Sequence, residues 1–468
     1  MEWFAAPDYW LSRLVFQRAL AVLYLVAFAG AARQFRPLLG ARGLTPVPEF
    51  LRRTPFRAAP SLFHVYYSDR FFAAVAWSGA VLAAALAAGA GDRVPLAASM
   101  AMWAVLWALY LSIVNVGQLW YGFGWEALLL EAGFLAVFLG NAEVAPPLPV
   151  LLLMRWLLFR VEFGAGLIKW RGDPCWRRLT CLDFHHETQP MPGPLSWFFH
   201  RLPRPVHRVE AAANHVTQLV VPFALFAPQP VAGWAALAVV VTQLWLVASG
   251  NFAWLNWLTL LLALSAVDSS AWYRAPAHGP APAWFTVVVL ACAAVMVALA
   301  HRPVRNLLSA RQQMNRSYNS LHLSGSYGAF GSVTRLRHEV VVQGTADAGD
   351  GEHTRWSEYG FKGKPGDMRR LPRQWAPLHL RLDWMMWFAA LSPAYSRPWF
   401  TAFQRRLLEN DRATLRLLAH NPFPGEPPAR VRALLYRYRF TTWRERRATG
   451  AWWHRELVGE YAPPVTRH

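Results

Sequence analysis

Charge is scarce in this 468-residue chain, with 16% of residues charged against 55% hydrophobic. That excludes an ordinary soluble domain of this size, because so much apolar surface has to face lipid. Acidic residues are scarcer still, 27 against 47 basic ones, for a formal net charge of +20. The excess is almost wholly arginine and comes without a nucleic-acid recognition motif, so membrane lipids are an expected partner and nucleic acid is not. Three cysteines cannot build a disulfide framework: Cys292 lies in an apolar run, which leaves Cys175 and Cys181 for one bridge at most. A Ser-His-Asp set, a P-loop, a dinucleotide fingerprint and an internal repeat are all missing, and no cofactor is expected. Ala27-Phe28-Ala29 has the small-x-small form of a cleavage site, but Glu2 and Asp8 stand where a signal peptide needs positive charge, so the segment reads as an uncleaved first span.

What is present is a series of apolar runs near 14–32, 71–90, 95–116, 125–140, 148–168, 210–227, 231–249, 252–267 and 283–300. A bilayer core needs about 20 apolar residues per helix, and the fourth and eighth runs are short, so the expectation is an α-helical polytopic membrane protein of eight to nine transmembrane helices. Loops 33–70 and 169–209 carry seven Lys or Arg each. The loops around Asp92 and Glu143 carry almost none, so the positive-inside rule makes the basic side cytoplasmic.

After His301 the apolar runs stop. The chain divides into a transmembrane region, 1–305, a linker, 306–334, and a C-terminal α+β extramembrane domain, 335–468. Arg337 to Val342 reads as a strand, and Leu382 to Leu391 and Trp399 to Ala419 as helices. Aromatic and basic residues alternate from Tyr436 to Phe440, and Thr449-Gly450 precedes Trp452 and Trp453, which is a hairpin signature.

Arg155, Glu162 and Lys169 lie seven apart and share one helix face, so they are expected to point into the bundle, with Glu162 able to pair with either cation. Glu126, Glu131, Asn214, His215 and Gln218 offer further partners. These groups act as interhelical glue or as a substrate or proton site; for the second, Lys169 is the sharpest choice, because a desolvated lysine can serve as a base. In the loop that follows, Asp183, His185, His186 and Glu187 lack the spacing of a known metal site, and no metal is expected. Cys175 and Cys181 match no redox or zinc motif and are expected as free thiols if the loop is cytoplasmic.

The stretch WRGDPCWRRLTCLDFHHETQPMPGPLSWFFHRLP at 170–203 closely resembles the signature region of the lipase maturation factor family. SGNFAWLNWLTLLLALSAVDSS at 249–270, WSEYGFKGKPGDMRRLP with LRLDWMMWFAAL between 356 and 391, and HNPFPGEPPARVRALLYRYRF with GAWWHRELVGEYAPPV extend the likeness over most of the chain. The resemblance implies a chaperone-like maturation factor that assists secreted lipases or similar clients, with the C-terminal domain facing a lumen or periplasm. It marks Asp173, Cys175, Trp176, Cys181, Asp183, His185, His186, Glu187 and Gln189 as the signature or client-binding loop. The membrane would be the endoplasmic reticulum in a eukaryote, and the plasma membrane in the bacterium that the Ala- and Arg-rich composition suggests. FGAGLIKWRGDPCW also resembles a segment of vitamin K-dependent carboxylase-type proteins, with Lys169 at the position of the catalytic base and Trp176 two residues late. The alternative to a non-enzymatic maturation factor is therefore a membrane enzyme acting on a lipidic or quinone-like substrate, with Lys169 as base and Glu162 tuning it. A transporter would need paired broken helices, which the chain does not offer.

Overall fold

A computed structural model of the protein describes residues 3–349 and 354–467. Among the described residues, five helical stretches, Pro7–Leu39, Asp69–Ala87, Leu96–Val116, Val231–Ser249 and Ala283–Leu308, are long and apolar enough to cross a membrane. Leu148–Arg171 is equally long but studded with charge, and Gly124–Val137, Arg204–Leu219 and Leu255–Ala263 are shorter. Helix is the form such runs must take, because without water a backbone has to satisfy its own N–H and C=O groups.

Local chemistry sets the ends and the fit. Ser68 Oγ accepts the Phe71 N–H at 3.0 Å and starts the Asp69–Ala87 helix. That helix lies against Trp10–Leu39 so closely that a Cβ on Gly79 would come within 2.3 Å of the Phe28 ring. Ala27 and Phe28 are buried in the middle of the first helix.

The C-terminal region is an antiparallel four-stranded sheet in the order β2-β1-β3-β4, from β1 (Arg337–Thr345), β2 (Ser357–Glu358), β3 (Arg430–Phe440) and β4 (Trp453–Thr466). β3 and β4 form the expected hairpin, with Phe440 opposite Trp453. Its connection is not a tight turn but a short helix, Trp443–Thr449, started by a Thr442–Glu445 capping box and ended by Gly450 at φ 71°. The helix expected over 399–419 breaks into Phe400–Leu408 and Arg412–Leu415, because Asn410 takes φ 51° and Asp411 caps a new turn through the Thr414 N–H. Alternation in β3 sorts as the pattern requires: Tyr438 and Phe440 are buried with Val341, Trp453 and Trp197, while Arg437 is exposed.

The sheet region is seated on one end of the bundle. Gln34 Nε2 donates to the His379 carbonyl at 2.9 Å, and Asn251 Oδ1 accepts the Trp375 N–H at 2.7 Å. The Trp125 and Trp384 rings lie 4.8 Å apart and the Trp120 and Trp399 rings 5.4 Å. One apolar cluster runs unbroken from Leu20, Leu128 and Leu258 to Trp384, Phe403 and Val431. The connecting stretch beyond Leu308 has no helix and no strand before Arg337, yet it too is anchored, with Tyr327 donating to Glu131 Oε2 at 2.8 Å. At the opposite end the N-terminal segment meets the other loops: Leu148 N–H reaches the Phe4 carbonyl at 2.8 Å, Ser269 N–H that of Asp8 at 3.0 Å, and Asn141 Nδ2 that of Val94 at 2.9 Å.

Candidate functional site

The loop after Leu148–Arg171 packs between the bundle and the sheet. Asp173 holds its entrance: its carboxylate accepts the Cys175 N–H at 3.0 Å and an Arg335 N–H at 2.9 Å. Burial works against the charged form, but these donors win and hold the Asp173 carboxyl below the usual range. The Pro174–Arg177 turn that follows brings the Cys175 and Cys181 Cα atoms to 4.9 Å, and the two are joined in a disulfide. Free thiols are therefore not what the fold holds. The short turn points both side chains inward against Trp176, Leu182 and Ala211.

Each remaining loop residue has its own place. Trp176 Nε1 donates to the Phe330 carbonyl at 2.8 Å, and the Trp176 carbonyl accepts from His215 Nε2 at 3.0 Å. Asp183 lies, partly exposed, in the first turn of Leu182–Thr188. His185 stands edge-on to Phe330 at 4.9 Å and is buried, which pushes its imidazole down to about 3 and keeps it neutral. Glu187 turns the other way, accepting the Phe440 N–H at 2.6 Å, and burial raises its carboxyl. The Glu187 and Gln189 carbonyls accept from Arg337, and Gln189 Nε2 donates to the Ser249 carbonyl at 2.9 Å. Asp183, His185, His186 and Glu187 thus do not converge on a common centre. Trp197 Nε1 donates to the Thr441 carbonyl at 2.9 Å and Arg201 to that of Phe440 at 2.8 Å, so loop and sheet present one joint surface.

Inside the bundle, Arg155, Glu162 and Lys169 are all buried, as their shared face requires. Their pairing differs from expectation. Residues seven apart share a face but stand on the order of 10 Å apart along the axis, and each finds a lateral partner instead. Arg155 donates to the Ser265 and Leu225 carbonyls at 2.9 and 3.2 Å. Glu162 accepts from Gln243 Nε2 at 2.6 Å, and Lys169 Nζ donates to Asn214 Oδ1 and Gln218 Oε1 at 2.8 and 2.9 Å, above the Trp176 ring. Glu131 and Glu126 serve other cations: Glu131 binds Arg160, and Glu126 accepts from Arg381 at 2.7 Å and from Tyr110. Arg160, Gln243 and Arg381 escaped the sequence reading, since their partners are remote in the chain and no local spacing announces them.

A family model described as the lipase maturation factor transmembrane domain matches residues 11–274, and one described as the lipase maturation factor C-terminal domain matches 323–463. Lipase maturation factor 1 of Bos taurus is 42% identical, with 99% of this chain and 90% of the relative covered. Its Homo sapiens counterpart is 40% identical, covering 98% and 88%, and Homo sapiens lipase maturation factor 2 is 29% identical, covering 97% and 83%. No solved structure matches. Both family domains lie in their proper order on a charge-lined helical bundle and a small sheet, and this multi-pass membrane chain belongs to the lipase maturation factor family.

Proposed function

We propose that this protein is a membrane maturation factor for secreted lipase-like clients, engaging them with the joint surface of the 172–203 loop and the C-terminal sheet. The observation that carries the reading is its likeness, at 40–42% identity over nearly its whole length, to relatives named for lipase maturation. Nine membrane crossings fit it best. With nine, the N-terminal segment and the loops around Val94, Pro147 and Ser269 fall on one side, and the Trp120 and Asn251 loops, the signature loop and the sheet region on the other; the contacts at the two ends of the bundle follow that division. The Cys175–Cys181 bridge supports an oxidising compartment for the sheet side, a lumen or periplasm, against the loop charges.

The test is co-expression with a secreted lipase in cells lacking their own maturation factor, read as lipase activity per mole of secreted enzyme. This chain should raise that ratio, and Lys169→Ala, at equal membrane abundance, should keep it near normal. The amides of Asn214 and Gln218 can turn to new partners once the lysine is gone. No rise in the ratio would remove the reading. Loss of activity in a fully abundant Lys169→Ala protein would replace it with the membrane enzyme in which Lys169 is a base.

A further inference from the structure

One group of metal-ligating side chains belongs to neither the charge networks of the bundle nor the loop–sheet contacts. His207 and Glu210 stand three apart on Arg204–Leu219 and so share a face of that helix. His186, from the signature loop, meets them there. Its Nε2 lies 3.7 Å from Glu210 Oε1, His207 Nδ1 lies 3.5 Å from Glu210 Oε2, and the two imidazole centroids are 5.6 Å apart. One donor atom from each residue lies within 4.8 Å of the other two.

The side chains of His186 and His207 are 1% and 2% exposed. None of their four ring nitrogens, nor Glu210 Oε2, makes a hydrogen bond of normal geometry; the His–Glu approaches stay at 3.7 and 3.5 Å. Native interiors leave few buried polar atoms unpaired, and five gathered in one cluster fit a ligand held between them. Direct charge-assisted bonds are a poor substitute, because a protonated histidine would approach a carboxylate to about 2.8 Å. Two ligands of one tetrahedral cation with bonds of about 2.0 Å sit about 3.3 Å apart; the two His–Glu approaches, 3.7 and 3.5 Å, lie near that value, and binding would draw the full set in from within 4.8 Å. Glu210 Oε1 is also held by Trp245 Nε1 at 2.7 Å, and the Phe199 ring lies tilted to His186 at 5.5 Å and edge-on to Trp245 at 4.9 Å. An outer donor that fixes a ligating carboxylate, inside an aromatic wall, is how metal ligands are kept in register.

We propose that His186, His207 and Glu210 bind a divalent transition-metal ion of the zinc class. Two imidazoles and one carboxylate suit such an ion better than calcium or magnesium, which call for more oxygen. Three protein ligands leave one coordination position for solvent. Asp173, Cys175 and Cys181 are a second group of ligating type, but their sulfurs are consumed in the disulfide and the group is not a competitor. The ion would tie the signature loop to the start of Arg204–Leu219, as the disulfide ties the loop to itself. The inference does not rest on the client reading.

Metal analysis of the full chain, purified in mild detergent with no lipase present, tests it directly. About one zinc-class ion per chain is expected, with loss in His207→Ala and Glu210→Gln and retention in the control His454→Ala, on β4 beside Glu456. Because those variants can also lose folded yield, the wild-type chain is stripped with a chelator and reloaded with zinc alone, which should lower and then restore its Tm. Cobalt titrated into the stripped wild-type chain should give the visible bands of a four-coordinate site. Folded wild-type protein that carries no metal and takes up neither ion overturns the proposal, and so does a cobalt spectrum unchanged in His207→Ala.

Discussion

The helical bundle and the C-terminal sheet treat charge in opposite ways. In the bundle, Glu131 and Arg160 meet with side chains 0% and 1% exposed, and Tyr327 and the Gly325 carbonyl add to their bonding. On the sheet, Arg455 pairs with Glu358 across strands with side chains 21% and 31% exposed. The first pair cannot lean on water, so every donor it leaves open is a cost; the second can exchange its partner for solvent at little expense. Arg381 crosses this divide. It starts a helix of the C-terminal region, yet its guanidinium lies with Glu126 inside the bundle. The lesson is that the C-terminal region is joined to the membrane part as one core.

Removing that cation should break the comparison most severely. Arg381→Ala leaves Glu126 buried without its cation and is expected to cost about 3–5 kcal/mol, measured as lost Tm and folded yield in detergent. Glu126→Gln combined with Arg381→Met should recover much of that loss; a double variant no better than the single would show that the pair is not the seam's anchor.

Asp383, two residues on, sharpens the same point through pH. Buried, and held only in part by the Gly363 N–H, its carboxyl is raised to about 6. A raised carboxyl contributes stability that is fully present below the unfolded value near 3.8 and lost as pH rises through about 6. The loss amounts to at most about 3 kcal/mol. Asp383→Asn should flatten the dependence of Tm on pH across that window, and an unchanged slope would assign the effect elsewhere.

Opening the Cys175–Cys181 bridge should cost about 2 kcal/mol, since the loop it closes is short. Paired Cys→Ser substitutions measure this, and membrane-impermeant thiol labelling with and without reductant reads which side the loop faces. Labelling of unreduced thiols only after membrane rupture would return the loop to the cytoplasm. The smallest effect belongs to the sheet: Arg455→Ala should shift stability by about 1 kcal/mol or less and more weakly in high salt. A loss as large as that of Arg381→Ala would erase the distinction between the two regions.

Much of the architecture was legible. Apolar runs located the helices of the bundle, and strict alternation from Tyr436 to Phe440 located β3 and its buried face. The break at Asn410 was not legible, because residues 399–419 keep a helical pattern through a position that only the left-handed backbone turns. The inward stripe of Arg155, Glu162 and Lys169 was legible as a face. Its pairing was not, because a shared face does not bring residues two turns apart into contact. His186 stood out in sequence only beside His185, a neighbour that points to Phe330, while His207 and Glu210, its companions in space, lie beyond the loop motif.

From the order of its residues alone, the chain is committed to a lipid-facing helical bundle, a polar α+β C-terminal region and the motifs of one family. Those properties depend on hydrophobic period, run length and contiguous residue identity, all of which are local. Tertiary structure alone decided which cation meets which carboxylate, that the two cysteines close a bridge, and that the sheet region is rooted in the bundle through Arg381. Partners such as Glu131 and Arg160, 29 residues apart, or Glu126 and Arg381, 255 apart, are chosen by proximity in a dry interior. That choice exists only once the helices have packed.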